Sequence, residues 1–299
     1  MRDLRSPPLT QRDLAGYRVV AVHAHPDDES ISTGGALASL AARGADVLVV
    51  TCTLGEEGEV IGETYQGLVA DEADQLGGFR IGELERACRI LGVRQVFLGG
   101  PGRYRDSGMV GAPSHANPRA FVNSGEAAVE DLAQLLAIER PHLVLTYGPD
   151  GGYGHPDHIR AHEITHAAAR RVGGVPRILW AVRLRSDLEA SLPADAPAGW
   201  SYPAPGELDA VEAADTFVEL DDRAYSAKVE AMRSHATQVW IADGYAGQTN
   251  PHSVRAAGPV TAYALSNLKT QAVTRREYYQ FGEGVELEPG ADLLSGIEW

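Results

Sequence analysis

The chain of 299 residues is long enough to bury a large core, in one domain or in a domain with a smaller lobe. Its 26 Lys and Arg against 41 Asp and Glu give a formal charge of −15, which repels phosphate backbones and argues against a nucleic acid partner. The two cysteines provide no disulfide framework, and the sequence contains neither a signal-peptide pattern nor an apolar stretch of membrane-spanning length. We therefore expect a cytoplasmic protein without a membrane partner, whose oligomeric state the composition leaves open.

The first half of the chain alternates between strand and helix patterns. Apolar, strand-like runs cover residues 17–24, 46–52, 94–98 and 142–147. Helical patterns cover residues 30–43, 71–91 (interrupted by two glycines), 125–140 and 156–172. Strands that alternate with helices are typical of a parallel sheet covered on both faces. The pattern predicts an α/β, Rossmann-like fold with a mostly parallel sheet and helices on both faces.

The pattern changes after residue 172. A fifth strand is predicted at 177–184, a Pro- and Ala-rich loop at 192–205 and a helix at 222–237, and the remaining tail mixes short strand and loop signals. We predict a metal-binding Rossmann-like domain over residues 1–172. Residues 173–299 are predicted to form a smaller C-terminal α+β lobe that shapes the substrate pocket.

Two related four-residue motifs follow the first and fourth predicted strands. The first motif is HPDD at residues 25–28, and the second motif is HPDH at residues 155–158. In a doubly wound sheet with the strand order 3-2-1-4, strands one and four are neighbours at the switch point, where ligands bind beyond the carboxyl ends of the strands. The topology therefore predicts that two motifs separated by about 130 residues converge at one crevice.

The residue types in the two motifs suit a hydrolytic metal site. His25, Asp28 and His158 offer two imidazoles and one carboxylate, a set that suits Zn²⁺, and Fe²⁺ equally, with one ion per chain. Asp27 would lie beside the ion without binding it, where a carboxylate can take a proton from water and pass it to a leaving amine. The pattern thus predicts amide hydrolysis, with Asp27 as the general base and then the general acid.

The second motif and the glycine-rich segment before it supply further candidates. His155, oriented by the neighbouring carboxylate of Asp157, can hold positive charge opposite a developing oxyanion. Tyr153 can donate a hydrogen bond to the same oxygen. A structural interpretation remains for single residues, because Asp28 is also suited to cap the following helix and Asp157 to complement the helix dipole. His162 and His166 continue the helical spacing and are interpreted as structural or solvated.

Six segments of the chain resemble the zinc-dependent de-N-acetylases related to GlcNAc-phosphatidylinositol deacetylase. They lie at residues 22–30, 51–63, 73–84, 102–109, 151–158 and 235–239. The resemblance implies zinc on His25, Asp28 and His158, with Asp27 as base and acid. It also implies an oxyanion partner in Tyr153 and a charge-stabilising His155 held by Asp157. Arg80 and Asp106, which stand in polar, glycine-containing segments, match positions that contact sugar or inositol hydroxyls.

Within that family, the segments are most similar to the branch that deacetylates N-acetylglucosaminyl-myo-inositol in mycothiol biosynthesis. The related amidases that cleave mycothiol S-conjugates carry a lysine where this chain has Ser32, which favours the deacetylase branch. Two other hypotheses stay open. A dinucleotide-binding module would need a G-x-G-x-x-G turn after the first strand, and none is present there. A non-catalytic sugar-binding protein would hold no stoichiometric metal and release no acetate.

Overall fold

The computed structural model describes residues 13–247, 250, 254–256 and 260–298. The strands in chain order are β1 (Arg18–His23), β2 (Asp46–Thr51), β3 (Arg94–Phe97), β4 (Leu143–Thr146), β5 (Arg177–Val182), β6 (Thr216–Glu219), β7 (Trp240–Ala242), β8 (Ala262–Ala264), β9 (Gln271–Ala272) and β10 (Arg276–Gly284). The helices are α1 (Asp28–Ser32), α2 (Gly34–Ala42), α3 (Leu76–Leu91), α4 (Gly125–Glu139), α5 (Gly151–Gly154), α6 (Pro156–Arg171), α7 (Arg185–Ala190) and α8 (Asp222–Ser234).

The main sheet of the described residues has seven strands in the order β3-β2-β1-β4-β5-β10-β6. Strands β1 to β5 run parallel, and β10 pairs antiparallel with both β5 and β6. The predicted order 3-2-1-4, the fifth strand and the Rossmann-like α/β class are therefore confirmed. A second sheet of β7, β8 and β9 is antiparallel.

Alternate residues of β1 enter the cores on opposite faces of the sheet, as the two-residue period of a strand requires. Val20 and Val22 pack into a cluster that contains Leu132 of α4 and Ile164 of α6. Val19 and Ala21 pack into the other cluster, which contains residues of α2 and α3. Both faces of the strand are thus buried under helices, which explains its uninterrupted apolar sequence.

Several predicted helices differ from the structure at their ends. The helix predicted at 30–43 is two helices, α1 and α2, which meet at Thr33. Helix α3 begins at Leu76 and passes through Gly77 and Gly78 without a break. A Cβ at Gly77 would lie 2.6 Å from Cγ of Glu56, so the glycine permits close packing of a loop rather than ending the helix. Helix α8 ends at Ser234, before the residues 235–237 that were predicted to continue it.

Strands from the region after residue 172 belong to both sheets, since β5, β6 and β10 extend the main sheet and β7 to β9 form the second. The division into two domains at this point stays a prediction. None of the helices in the described part of the chain combines the length and the apolar character needed to cross a bilayer.

Candidate metal centre and active-site cavity

The first and second motifs lie side by side, because β1 and β4 are hydrogen-bonded neighbours that end at the same edge of the sheet. Oδ2 of Asp28 lies 3.4 Å from Nδ1 of His25 and 3.4 Å from Nε2 of His158. Ligand atoms bound at 2.0–2.1 Å around a tetrahedral ion are separated by about 3.3 Å. The spacing of Asp28 from each of the two histidines is therefore the spacing of shared metal ligands.

The hydrogen bonds of His158 leave one ring nitrogen available. Its Nδ1 lies 3.0 Å from the carbonyl oxygen of Gly151. A carbonyl only accepts, so Nδ1 carries the proton and Nε2 carries a lone pair. Nε2 is buried and has no hydrogen-bond partner among the described residues. A histidine whose second nitrogen is held by a carbonyl, with its lone pair directed at a carboxylate, has the arrangement of a metal ligand.

Tyr147 holds Asp28 in place and was not identified by sequence reasoning. Its hydroxyl donates to Oδ2 of Asp28 at 2.7 Å and accepts from the backbone N–H of Ala24 at 2.8 Å. Its ring stacks on His158 at a centroid distance of 4.2 Å. The position at the carboxyl end of β4, directly before the second motif, was the signal available in the sequence. Burial raises the pKa of Tyr147, so the hydroxyl remains a donor.

The cluster contains more possible ligands than one ion requires. Ligand atoms of His25, His155 and His158 lie within 4.8 Å of one another, and so do those of His25, Asp106 and Asp157. All five residues are buried. Burial disfavours charge on Asp28, but His158 and His25 hold its pKa well below the usual value, so the carboxylate is ionised between them.

Asp27 is held from two directions beside this cluster. Its backbone adopts a φ of 120°, which is rare for any residue except glycine, and its N–H donates to Oε2 of Glu29 at 2.9 Å. Its carboxylate forms an ion pair with Nη2 of Arg80 at 3.0 Å. Burial raises the pKa of Asp27 to about 6, although Arg80 opposes the shift. The side chain is placed as a general base would be, next to the metal cluster without entering it.

Arg80 and Asp106, the predicted substrate contacts, both line the cavity but are engaged by the protein itself. Arg80 is buried and donates to the carbonyl oxygens of Gly55, at 2.9 Å, and Pro26, in addition to its ion pair. Asp106 accepts backbone hydrogen bonds at 2.8 and 3.2 Å, and its Oδ1 lies 3.5 Å from Nε2 of His25. Arg80 orients the carboxylate of Asp27 in this arrangement. Direct contact of either residue with substrate stays a prediction.

The ring of His155 contacts the backbone N–H of Asp157 and not its carboxylate. His155 is the N-cap of α6, and its Nδ1 accepts the N–H of Asp157 at 3.1 Å. The carboxylate of Asp157 instead accepts from the N–H of Ser107 at 2.9 Å and lies 3.3 Å from Nε2 of His25. Burial, together with His25 and His158, lowers the pKa of His155 to about 3. The ring is neutral in this arrangement, with its proton on Nε2.

Tyr153 lies above the cluster in the short, glycine-rich element α5, which is loop-like because the backbone of Gly152 and Tyr153 is not helical. It is 53% exposed, and its ring centroid is 5.1 Å from that of His158. The loop approaches α6 closely at Gly151, where a Cβ would lie 2.8 Å from Cβ of His158 and from the backbone nitrogen of Ile159. Gly151 also has a positive φ of 68°. The glycine therefore allows the loop to place the carbonyl of residue 151 on His158 and to present Tyr153 to the cavity.

The cluster forms one wall of a cavity of about 700 Å³. Residues from after β4 form much of the remaining wall, including Trp180 and Arg183 from the β5 region and Tyr263, Gln271 and Tyr278 from later strands. The lining is mixed, with aromatic rings and several charged groups of both signs. Such a cavity can accommodate a polyhydroxylated molecule of two rings with its reacting group at the cluster.

Known proteins are similar to this chain over the region that contains both motifs. The profile of the family described as PIG-L, GlcNAc-PI de-N-acetylase, matches residues 20–169, which include both motifs. A protein of Corynebacterium efficiens named 1D-myo-inositol 2-acetamido-2-deoxy-alpha-D-glucopyranoside deacetylase is 60% identical, over 97% of this chain and 96% of its own length. A protein of the same name from Corynebacterium diphtheriae is 56% identical, over 96% of this chain and 99% of its own.

The chain belongs to the GlcNAc-PI de-N-acetylase family, so the resemblance found in its six segments is confirmed. Among solved structures, the N,N′-diacetylchitobiose deacetylase of Pyrococcus horikoshii is similar with a TM-score of 0.50 and 20% identity. That match covers 77% of this chain and 74% of the other, and it supports the fold alone.

Proposed function

We propose that this protein is a metal-dependent deacetylase that hydrolyses the acetamide of N-acetylglucosaminyl-myo-inositol to glucosaminyl-inositol and acetate, a step of mycothiol biosynthesis. The convergence of His25, Asp28 and His158, with Asp27 beside them, is the observation that carries the proposal. The substrate is inferred from the names of the corynebacterial relatives, which align with nearly the whole chain.

His25, Asp28 and His158 would hold one ion, which we propose to be Zn²⁺ with Fe²⁺ as the alternative. The fit rests on the orphaned Nε2 of His158 and on the spacing of Asp28 from each histidine. When bound, such an ion would polarise the acetyl carbonyl and lower the pKa of water.

The remaining steps belong to side chains of the chain itself. Asp27 takes a proton from the attacking water and later delivers it to the departing amine, and Arg80 keeps its carboxylate oriented. His155, through the proton on Nε2, and the hydroxyl of Tyr153 donate to the oxyanion. Asp157 fixes His25 and the loop at Ser107, and Asp106 contacts His25 and lines the pocket near the substrate hydroxyls. The described residues after residue 172 that line the cavity, among them Arg183 and Tyr263, would shape the rest of the pocket.

The proposal is tested with protein purified without air, in which metal is counted and acetate release is measured. We expect one ion per chain, loss of acetate release after chelation and its return when Zn²⁺ or Fe²⁺ is added. The same protein is assayed on a mycothiol S-conjugate, on which we expect much slower turnover. Faster cleavage of the conjugate would make the protein an amidase, and sugar binding without acetate release at full metal content would make it a binding protein.

A further inference from the structure

The segment at residues 235–239, one of the six that carry the family resemblance, reaches the active site from helix α8. His235 is the C-cap of that helix, and its Nε2 lies 2.7 Å from Oε1 of Glu29. Both side chains are completely buried. A carboxylate only accepts, so the ring donates from Nε2. This hydrogen bond joins two residues that are 206 positions apart in the sequence, and one of them, Glu29, directly follows Asp28.

Glu29 also forms a hydrogen bond with the backbone of Asp27. Its other oxygen, Oε2, accepts the backbone N–H of Asp27 at 2.9 Å. The hydroxyl of Ser30 donates to Oε1 at 2.5 Å, beside the ring of His235. Both oxygens of Glu29 are therefore occupied, one by the backbone of Asp27 and one by groups that hold the carboxylate in place.

The backbone of Asp27 needs such a restraint. Its φ of 120° lies in a region that side-chain-bearing residues rarely adopt, and such conformations persist only where the surroundings over-determine them. Asp27 precedes α1 as its N-cap, but within the described part of the chain its side chain makes no cap hydrogen bond. Its carboxylate is directed to Arg80 instead. The N–H held by Glu29 fixes the peptide from which that carboxylate projects.

His235 is itself anchored to the body of the protein. The backbone N–H and the hydroxyl of Thr237 both donate to the buried carboxylate of Glu83 on α3, each at 2.9 Å. The carbonyl of Thr237 accepts from the N–H of Ile61 at 2.8 Å. The ring of His235 therefore projects from a segment that is hydrogen-bonded both to α3 and to the loop at Ile61. This segment can hold the ring in a fixed position against Glu29.

We propose that Glu29 and His235 are positioning residues, which hold the strained backbone of Asp27 so that its carboxylate meets the reacting water. The inference rests on the proposed role of Asp27 as the base. Neither residue lines the cavity, so we expect the loss of either to lower kcat through Asp27 and to leave substrate binding and metal content in place.

The test compares His235→Gln with His235→Asn. Glutamine places an N–H near the position of Nε2 and reaches Glu29, whereas asparagine places it near Nδ1 and does not. We expect kcat to fall by about 10- to 100-fold in His235→Asn, as for other residues that orient active-site groups, and to recover largely in His235→Gln. KM and metal per chain should be unchanged in both variants. His142→Asn, a buried histidine at the opposite end of β4, is the control and should keep full activity.

A double-variant cycle separates positioning from general damage. Combined with Asp27→Asn, neither His235→Asn nor Glu29→Gln should reduce the residual activity further, because groups that act as a unit are not additive. Glu29→Gln carries the test if His235→Asn does not fold. Multiplicative losses, or equal losses in the Gln and Asn variants of His235, would overturn the inference and leave the proposed function intact. Near-normal turnover of Asp27→Asn alone would instead overturn the proposed base.

Discussion

The first and second motifs begin with the same three residues, His-Pro-Asp, but they differ in backbone conformation and in the position at which the following helix begins. In the second motif, α6 begins at Pro156, and the N-cap His155 accepts the N–H of Asp157 in ordinary capping geometry. In the first motif, the helix begins two residues later in the motif, at Asp28, and Asp27 has a positive φ without a side-chain cap. The strained copy is the one that carries the proposed base.

This contrast shows that a shared sequence motif does not fix shared roles for its residues. The third position of the motifs illustrates the point, because Asp27 faces Arg80 beside the cluster, whereas Asp157 is completely buried against Ser107 and His25. Local strain is stored where function requires a particular side-chain direction, whereas the aspartate of the unstrained motif contacts and supports His25. Variants at equivalent positions of the two motifs therefore test whether the two aspartates have different roles.

The largest effect is expected from removal of a metal ligand in the second motif. His158→Ala should lose the metal and lower kcat by about 10⁴-fold or more, since both the activated nucleophile and the charge stabilisation depend on the ion. Metal analysis and acetate release measure both losses. His162→Ala, one turn later on α6, removes a ring whose Nδ1 lies 2.9 Å from the carbonyl oxygen of Tyr147 and which packs against His166 and Trp180. Because His162 is not a proposed ligand, this variant should keep the metal. Full metal occupancy in His158→Ala would contradict the proposed ligand set.

The next largest effect distinguishes the two aspartates at the third position of the motifs. Asp27→Asn should lower kcat by about 10²- to 10⁴-fold with metal retained, because the base is lost and the ligands are not. Asp157→Asn should cost about 10- to 100-fold, and partly as weaker metal binding, because its carboxylate contacts the ligand His25. Steady-state kinetics with metal titration separates the two. Equal losses of kcat with equal metal affinity would remove the distinction between base and support.

Much of this arrangement could be predicted because buried parallel strands leave continuous apolar runs. The alternation of these runs with helices indicated a doubly wound sheet, and the strand order 3-2-1-4 typical of such sheets predicted that His25 and His158 meet at one crevice. The break at Thr33 was not predicted. There the backbone leaves helical geometry (φ −134°, ψ 0°), and the hydroxyl of Thr33 shares the carbonyl of Glu29 with the Thr33 N–H, at 3.0 and 3.3 Å. No sequence periodicity reports such a bond.

Long-range contacts account for the other parts of the site that were not predicted. Strand β10 pairs with β5, nearly 100 residues earlier, and its pattern was indistinct because it mixes buried and half-exposed residues. The carboxylate of Asp157 was expected to orient its neighbour His155, but it contacts His25 from the other motif. An argument from sequence spacing pairs a side chain with its near neighbours, whereas in the fold the partner of Asp157 is His25, which is 132 residues away.

A smaller effect is expected from Tyr147, which supports the first motif from β4. Tyr147→Phe removes the donor to Asp28 and the acceptor for the N–H of Ala24, while the ring can still stack on His158. We expect metal affinity to fall by about 10- to 100-fold, as for other groups that orient ligands. Competition with a chelator measures the affinity. Unchanged affinity would mean that the neighbouring N–H of His25 alone suffices to hold Asp28.

The smallest effect is expected at the glycine that lets the loop approach the second motif. Gly173 and Gly151 lie near opposite ends of α6, and both have positive φ, so alanine at either position costs about 1–2 kcal/mol of the free energy of unfolding. A Cβ at Gly173 has no described atom within 4 Å, whereas one at Gly151 lies 2.8 Å from Cβ of His158. Gly151→Ala should therefore destabilise the protein more than Gly173→Ala and also weaken metal binding, because the carbonyl that holds Nδ1 of His158 moves away. Chemical denaturation and chelator competition measure the two effects, and equal behaviour of the two variants would show that the close approach at Gly151 does not control His158.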